Sequence, residues 1–514
     1  MSDPMYFPEY DQLDGIALAG LVRRKEVSAE ELVRAALQRI EVHNPRLNAV
    51  VHHLGAQARQ QCGLPLGEGP LAGVPMLVKD LLADIEGCRT GNGSRLFSGY
   101  VAQRDSFIVA RYRRAGLIFV GKTATPELGL HPYTESAVSG VTRNPWHLEL
   151  SPGGSSGGSC AAVAAGMTPI AHGSDGGGSL RLPASHCGVF GLKPTRGRSP
   201  CGPYFSEIWQ GLVVEHAVTR SVRDSAAMLD ILSDGQDRGD AYQCSAPEPS
   251  FLASLARHPG RLRIAYTFEP FLGGELNKDC RRATESTLAL LADLGHEVVE
   301  AHPPLAPAQQ LCEAMLTLVS GEVAMLVGNA ARLIGRVGRQ EDFESGTWAL
   351  ARYGHVLKAV DFARARELAL QQGRIMDAFH AQYDILVTPV VNQLPTRIGA
   401  LRLDPLEERL ARLVLGKWGM DWPLRVGSRL ADQSSDIMRY MGWSVPFNMS
   451  GQPAMSVPLY WNDQGLPIGT QFVARMGHEA LLLQLAHTLE AARPWQGRGL
   501  AVHAQVKPRS GVPA

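Results

Sequence analysis

Hydrophobic residues recur with a helical period near the start of the chain and again over much of its second half. Residues 11–42 predict two helices, and Ser28 followed by Glu31 forms a capping box at the start of the second helix. Further stretches with a helical period are 106–116, 221–234, about 305–380 and 479–492. We interpret the long stretch within about 300–440 as a peripheral helical insertion.

Short apolar runs bounded by Gly or Pro alternate with these helices and predict buried strands. They lie at 70–80, 117–123, 261–269, 383–390 and 453–460, with 465–475 as a hairpin arm. Because strands and helices alternate along the chain, the pattern predicts an α/β fold. Its core is expected to be a large mixed, mostly parallel sheet with helices on both faces.

The length of the chain bounds its domain organisation. Its 514 residues exceed the usual size of one hydrophobic core, so length alone leaves open two domains or one large core with an insertion. We favour a single domain over 1–500, with its core at about 65–240 and 380–495 and peripheral helices at about 300–440. The segment 501–514 has little apolar content and is expected to be a loose tail.

Charge and cysteine content exclude several classes of partner. With 50 basic and 50 acidic residues the chain has no net charge, which argues against nucleic acid or an anionic membrane as a partner. No signal peptide or run of 18 apolar residues is visible, so a cytoplasmic location without membrane insertion is expected. The eight cysteines show no metal-ligand spacing, and no metal or cofactor is predicted.

Two short motifs match known sequence patterns, but the residues in and around them do not fit the structures that those patterns require. Residues 116–123, GLIFVGKT, fit the phosphate-loop pattern, but the four intervening residues favour a buried strand over a flexible loop. Residues 154–158, GSSGG, fit the nucleophile elbow of α/β-hydrolases with Ser156 as nucleophile. No strong strand precedes that serine, and no downstream histidine lies in a setting typical of a base. An esterase acting through Ser156 therefore stays a minor alternative.

Three segments fit one mechanism better than any other. They are GVPMLVKD at 73–80, GGSSGGS at 153–159 and SDGGGSLR at 174–181. Together they resemble the amidase signature family. Further stretches similar to that family follow in family order, at 122–129, 142–159, 184–198, 384–390, 451–458 and 465–473. The resemblance covers about 10–495 and is closest to a branch of bacterial amidases that includes hydrolases of cyclic amide dimers.

The resemblance implies the amidase-signature fold and a Ser–Ser–Lys triad. By motif position, Ser179 is the nucleophile, Lys79 is the base, and Ser155 is the bridging serine, which follows a cis peptide bond in the family. Elementary chemistry supports these roles, because a serine hydroxyl needs a base and a lysine can serve only when it is neutral. Its pKa must therefore fall from about 10.4 to roughly 7–8, and the apolar residues around Lys79 favour that fall.

The glycines before Ser179 are expected to supply an oxyanion hole. The backbone N–H groups of Gly176, Gly177, Gly178 and Ser179 would bind the negative charge that forms when the carbonyl carbon is attacked. Relatives carry Thr where this chain has Ser174, and a bulkier residue in place of Gly176. Asp175 and Arg181 are interpreted as an ion pair that supports this loop structurally.

The predicted substrate is a small amide, hydrophobic or of cyclic or aryl type, cleaved through an acyl-enzyme with side esterase activity. Residues expected to bind it are Gly129, Leu130, His131, Gly154 and Cys312, with Met315, Trp418 and Trp422 as further candidates for the pocket. The alternative is an amidotransferase A-type subunit, which would need partner chains and a tRNA-bound substrate. Homodimers are common among relatives, but no feature of the sequence requires one here.

Overall fold

A computed structural model of the chain describes residues 6–233, 239–402 and 437–496. In those ranges the helices are α1 Gly15–Arg23, α2 Ala29–Leu47, α3 Gly55–Cys62, α4 Phe107–Arg114, α5 Gly157–Ala164, α6 Arg181–Cys187, α7 Val222–Ser233, α8 Phe251–Ser254, α9 Lys278–Asp293, α10 Ala308–Ile334, α11 Ser345–Val356, α12 Ala359–Phe379, α13 Pro446–Ser450 and α14 Glu479–Ala492. The strands are β1 Val50–His53, β2 Pro75–Lys79, β3 Ile118–Thr123, β4 Glu135–Ser136, β5 Gly140–Val141, β6 Ile170–Asp175, β7 Phe190–Lys193, β8 Val214–Thr219, β9 Arg263–Tyr266, β10 Glu297–Glu300, β11 Ile385–Pro389, β12 Ala454–Trp461 and β13 Pro467–Ala474.

Eleven of these strands form one large mixed sheet in the order β1-β3-β2-β6-β8-β7-β12-β13-β11-β9-β10. The sheet and its flanking helices confirm the predicted fold class. The expectation of mostly parallel pairing needs correction, because parallel pairs occur only within β3-β2-β6 and β11-β9-β10. The strands between these two groups pair antiparallel, and β1 joins the edge antiparallel as well.

The register of the first parallel group positions the residues of interest. Leu77 of β2 pairs with Ala171 of β6, and Lys79 pairs with Thr123 of β3. Because parallel strands end at the same edge of a sheet, the carboxyl ends of all three strands meet there. Lys79, the loop after Thr123 and the glycine-rich stretch after β6 are therefore neighbours in space, although up to a hundred positions separate them in sequence.

Helix α2 illustrates how closely local signals predict local structure. Ser28 Oγ accepts a hydrogen bond from the backbone N–H of Glu31, and the Glu31 carboxylate accepts one from the N–H of Ser28. This is the capping box that the sequence predicts. The apolar side chains of Leu32, Ala36 and Ile40 are completely buried, so the predicted apolar face packs into the core.

Helices α10, α11 and α12 form the predicted helical layer and pack together around one apolar cluster. By length and composition alone α10 could cross a membrane, with a mean hydropathy of 1.6 in its most apolar window. More than half of that window, 56%, is buried inside the protein. The single-domain boundaries stay a prediction, and the segments 403–436 and 501–514 lie outside the described residues.

The segment that resembles a phosphate loop is a strand. Residues 118–123 form β3, which is buried throughout between β1 and β2. Lys122 does not face an open anion site, because its Nζ donates to Thr90 Oγ1 at 2.6 Å and lies 3.2 Å from Asp80 Oδ1. The structure therefore agrees with the rejection of nucleotide binding at this segment.

Candidate active site

Lys79 lies at the carboxyl end of β2 and faces three serine hydroxyl groups. Its Nζ is 2.7 Å from Ser155 Oγ, 2.9 Å from Ser174 Oγ and 3.1 Å from Ser156 Oγ. The lysine side chain is completely buried, and no carboxylate of the described residues forms a salt bridge with it. Within the described part of the chain, this amine thus has hydrogen-bond partners but no counterion in contact.

The electrostatic consequence is a lysine that loses its proton easily. Burial lowers the pKa of Lys79 from 10.5 to about 7, because the charged ammonium form loses its hydration. The more distant carboxylates of Glu215 and Asp175 oppose this effect only in part. The sequence-based expectation of a pKa near 7–8 agrees with this value.

Ser155 and Ser156 immediately precede α5 and occupy different environments. The peptide bond from Gly154 to Ser155 is cis, the form that the family resemblance implies. Ser156 Oγ donates to the carbonyl of Ser174 at 3.1 Å, so its own proton is already engaged and Lys79 must act as donor towards it. Ser155 has Lys79 as its hydrogen-bond partner and lines an open cavity.

Ser179 lies at the end of the glycine-rich stretch, two residues before α6, and is partly exposed towards the same cavity. The backbone N–H groups of Gly176, Gly177 and Ser179 have no hydrogen-bond partner among the described residues. The expectation for Gly178 is corrected, because its N–H donates to Asp175 Oδ1 at 2.7 Å. Three of the four predicted donors therefore remain available to an oxyanion.

Two glycines of this stretch have no room for a side chain. A Cβ atom at Gly176 would lie 2.9 Å from Val213 and 3.0 Å from the ring of Trp209. Gly178 adopts a left-handed backbone conformation with φ of 128°, and a Cβ there would lie 2.3 Å from Ser444 Oγ. Trp209 thus occupies part of the space that a bulkier residue at position 176 would need.

The predicted ion pair is present and anchors the glycine-rich stretch. Arg181 Nη2 lies 2.9 Å from Asp175 Oδ1, and both side chains are completely buried. Asp175 also accepts from the N–H of Leu180 at 3.1 Å and from Asn448 Nδ2 at 2.9 Å. This donor set lowers the pKa of Asp175 below its usual range despite burial, which by itself would raise it.

The cavity in front of Ser179 divides into two chambers, which we call the large chamber and the small chamber. Their volumes are about 390 Å³ and about 110 Å³. Ser179, Gly129 and Trp209 line both chambers and so mark their junction. The walls of both are mainly apolar, as is usual for small-molecule sites.

Four of the six predicted substrate-binding residues that the structure describes line these chambers. Leu130, His131 and Met315 line the large chamber, together with the junction residue Gly129. His131 stacks on Tyr133 with ring centroids 4.8 Å apart. Burial lowers the pKa of His131 to about 4, so its ring is neutral at physiological pH.

Two predicted pocket residues lie elsewhere. Gly154 and Cys312 line neither chamber in the described part of the chain. Tyr133 backbone atoms lie 2.7 Å from where a Cβ of Gly154 would be, so Gly154 serves close packing of the two loops. Cys312 is half-buried and packs on the apolar cluster of the helical layer. Trp418 and Trp422 lie outside the described residues.

Sequence reasoning missed two residues of the site. The sequence marks Ser174 only as a replacement for Thr, yet its hydroxyl contacts Lys79 and lines the small chamber. Its position at the end of β6, parallel to β2, could have indicated this contact. Trp209 lies in an irregular segment between β7 and β8, where no periodicity reveals which side chain turns inward.

The nucleophile-elbow alternative finds no support in this geometry. Ser156 is completely buried and lines neither chamber in the described residues. The first three histidines downstream of Ser156 face other partners: His172 contacts Glu215, His186 contacts Tyr440 and His216 contacts Ser225. A Ser156–His pair of the hydrolase type is therefore not formed among the described residues.

Comparisons with known proteins agree with the fold. The Amidase family model matches residues 31–483. The 6-aminohexanoate-cyclic-dimer hydrolase of Pseudomonas sp. (strain NK87) is 38% identical over 494 residues, which cover 94% of this chain and 96% of that protein. The solved structure of a 6-aminohexanoate cyclic dimer hydrolase complexed with substrate has a TM-score of 0.85 at 36% identity and covers 96% of this chain and 99% of that chain.

A bacterial aryl acylamidase of the amidase signature family shares the fold, with a TM-score of 0.81 at 24% identity, covering 96% of this chain and 99% of that one. Together these findings define a hydrolase that acts on amide carbon–nitrogen bonds of small molecules. The chain belongs to the amidase signature family.

Proposed function

We propose that this protein hydrolyses amides through an acyl-enzyme formed on Ser179, with Ser155 as proton relay and Lys79 as base. One observation carries the proposal. Lys79 is a buried amine with a pKa of about 7, without a counterion in contact among the described residues, and 2.7 Å from the hydroxyl of Ser155. A neutral lysine in this position can accept a proton at physiological pH, which a solvated lysine cannot.

The hydrogen bonds of Lys79 indicate the direction in which the proton moves. A neutral amine offers two N–H donors and one lone pair. Ser156 uses its own proton on Ser174, so one N–H of Lys79 points to Ser156. If the second N–H points to Ser174, the lone pair faces Ser155 at the shortest of the three distances. Ser155 can then pass its proton to Lys79 while it accepts one from Ser179.

The proposed reaction runs in two halves. Ser179 Oγ attacks the amide carbonyl carbon, its proton moves to Ser155, and the proton of Ser155 moves to Lys79. The oxyanion is bound by the N–H groups of Gly176, Gly177 and Ser179, each worth roughly 10²–10³ in rate in comparable sites. The carbon–nitrogen bond then breaks as the relay returns a proton to the leaving amine. Water attacks the acyl-enzyme by the same relay and releases the acid.

The substrates proposed are small neutral amides of linear, aryl or cyclic type, in keeping with the mainly apolar chambers. Relatives that act on a cyclic amide dimer and on aryl acylamides support this range. Esters should also react, because they yield the same acyl-enzyme. We further propose that the enzyme is cytoplasmic, with no nucleic-acid or membrane partner, and that it can act as a monomer or a homodimer.

The decisive experiment combines active-site labelling with hydrolysis. Wild type and the variants Ser179→Ala, Ser156→Ala and Lys79→Ala are treated with a fluorophosphonate probe and assayed on a p-nitroanilide. We expect Ser179→Ala to lose both signals, Ser156→Ala to keep labelling, and Lys79→Ala to lose at least about 10³ in kcat/KM. Labelling that persists in Ser179→Ala and vanishes in Ser156→Ala would refute the proposed nucleophile.

The same purified wild-type protein distinguishes a free-standing amidase from the amidotransferase alternative. A free-standing amidase turns over a simple aryl amide by itself. An amidotransferase subunit would be nearly inert alone and would couple glutamine hydrolysis to a tRNA-bound acceptor only with its partner chains.

A further inference from the structure

The two chambers are not equivalent with respect to the proposed proton relay. Ser155 lines the small chamber and does not line the large one. The glycine-rich stretch is divided in the same way, because Gly176 lines the small chamber and Gly177 lines the large one. A carbonyl group bound at Ser179 therefore sits at the junction, with the relay on one side only.

The chemistry of amide cleavage makes this asymmetry meaningful. When the carbon–nitrogen bond breaks, its electron pair stays on nitrogen, which must take a proton in order to leave as a neutral amine. In the proposed mechanism Ser155 gives that proton and is refilled from the Lys79 ammonium group. The nitrogen must therefore lie within hydrogen-bond reach of Ser155 Oγ, on the side of the small chamber.

From this placement we propose that the small chamber receives the amine half of the substrate and the large chamber receives the acyl half. The assignment rests on the proposed function and specifies its substrate. The walls of the small chamber then determine amine specificity, and the walls of the large chamber determine acyl specificity. A cyclic amide, whose two halves are tethered, must bend around the junction and occupy both chambers together.

The walls define the chemical class of each half. The small chamber is bounded mainly by aliphatic and aromatic side chains, including Phe97, Leu128, Ile208 and Leu326. Its carboxyl groups are engaged, as in the hydrogen bond from Tyr100 to Asp84 at 2.9 Å. An uncharged aryl or branched alkyl amine of modest size therefore fits the small chamber.

The large chamber has more than three times the volume of the small one, about 390 Å³ against about 110 Å³. Its wall contains charged side chains of both signs, Arg95, Glu344 and Arg402, beside apolar ones. The acyl half can therefore be longer than the amine half and can end in a polar group.

The small chamber also reaches the surface by itself. Two of its wall residues, Met325 and Leu333, are 45% and 39% exposed. The amine, which is released first, can leave between these side chains while the acyl group still fills the large chamber. Water for the second half of the reaction can enter the space that the amine has vacated, next to Ser155.

Helix α10 offers a matched pair of variants for the test. Leu316 and Leu326 lie ten positions apart on this helix, both are partly buried, and they line the large and the small chamber respectively. Leu316→Trp should therefore fill the acyl side, and Leu326→Trp should fill the amine side with the same added volume. Thermal melting of both variants shows that any loss of activity is not a loss of folding.

Three substrates distinguish the two halves: hexananilide, hexanamide, which has the same acyl group and ammonia as leaving group, and acetanilide, which has the same amine and a short acyl group. We expect Leu326→Trp to lower kcat/KM about tenfold or more on both anilides and to leave hexanamide within about twofold of wild type. We expect Leu316→Trp to lower kcat/KM on both hexanoyl amides and to spare acetanilide.

The opposite pattern, with Leu326→Trp sensitive to acyl length and Leu316→Trp sensitive to the amine, would overturn the assignment while the triad stands. Equal losses on all three substrates in both folded variants would also overturn it. Failure of the proposed function is visible separately, in wild type, as a protein that hydrolyses none of the three amides and is not labelled at Ser179. The assignment would fall with it in that case.

Discussion

Replacing the base with an uncharged side chain of similar size should change stability with a sign that depends on pH. Lowering the pKa of Lys79 from 10.5 to about 7 corresponds to about 5 kcal/mol, at 1.36 kcal/mol per pH unit. Below pH 7 the folded protein bears this cost in full, because it then carries a buried ammonium group. Between pH 7 and 10.5 the unfolded chain binds a proton that the folded protein does not, so wild-type stability rises with pH through this window.

Lys79→Met removes that cost but also removes up to three hydrogen bonds to serine hydroxyls, worth about 1 kcal/mol each. The balance makes the variant about 2 kcal/mol more stable than wild type at pH 6.5 and about 2 kcal/mol less stable at pH 9.5. The two stabilities should cross between about pH 8 and 9. Urea unfolding midpoints of both proteins at pH 6.5, 8 and 9.5 measure this difference.

Lys122→Met is the matched control, because Lys122 is also a completely buried lysine on the adjacent strand β3. Its ammonium group lies 3.2 Å from Asp80, so its removal leaves a buried carboxylate without that cation. That variant should be less stable than wild type at all three pH values. A Lys79→Met midpoint below that of wild type at pH 6.5, or a difference that keeps its sign at pH 9.5, would refute the reasoning about the buried amine.

The remaining predictions concern activity and the support of the site. In wild type, kcat/KM should rise with pH through about 7, because Lys79 is active only after it loses its proton. A pH–rate profile that is flat between pH 6 and 8 would argue against Lys79 as the base. Ser174→Ala should move that midpoint to lower pH, since the ammonium form loses a hydrogen-bond acceptor, whereas Ser174→Thr should keep it, which the same profiles measure. Gly176→Leu should lower kcat at least about 10²-fold in steady-state assays by displacing Trp209 and the oxyanion donors, with unchanged melting temperature as the evidence that the fold persists. Asp175→Asn should destabilise the protein by about 3–5 kcal/mol, measured by urea unfolding, because it leaves Arg181 as a buried cation without its partner.

Much of the fold was predictable because the elements involved have strong local signals. Helix α2 with its capping box and the buried strand β3 agree with the expected segments to within a few residues. The direction of pairing was not predictable in the same way. A buried strand such as β8 has the same apolar pattern whether its neighbour β6 runs parallel or antiparallel to it. The antiparallel centre of the sheet therefore differs from the expectation.

The candidate site was also predictable only in part. The contact of Lys79 with Ser155 follows from motif spacing, because these residues belong to short stretches with a recognisable pattern. The hydrogen bond from Gly178 to Asp175 could not be predicted, since the sequence does not indicate which N–H of a glycine run bonds within the loop. Nor does it reveal that Trp209 lines both chambers, because the surrounding loop has no periodicity and its position depends on long-range packing.

The anchoring of the glycine-rich stretch has a consequence for the synthesis of the enzyme. Arg181 donates to the carbonyl of Ser444 at 3.0 Å and to Gln471 Oε1 at 2.8 Å, and Ser444 Oγ donates to the carbonyl of Gly177 at 2.6 Å. A nascent chain that ends before residue 440 already contains all three proposed catalytic residues, yet it lacks the groups that hold the oxyanion loop. Hydrolytic activity should thus emerge only when translation is almost complete. Unfinished chains and N-terminal proteolytic fragments would therefore not hydrolyse amides in the cell.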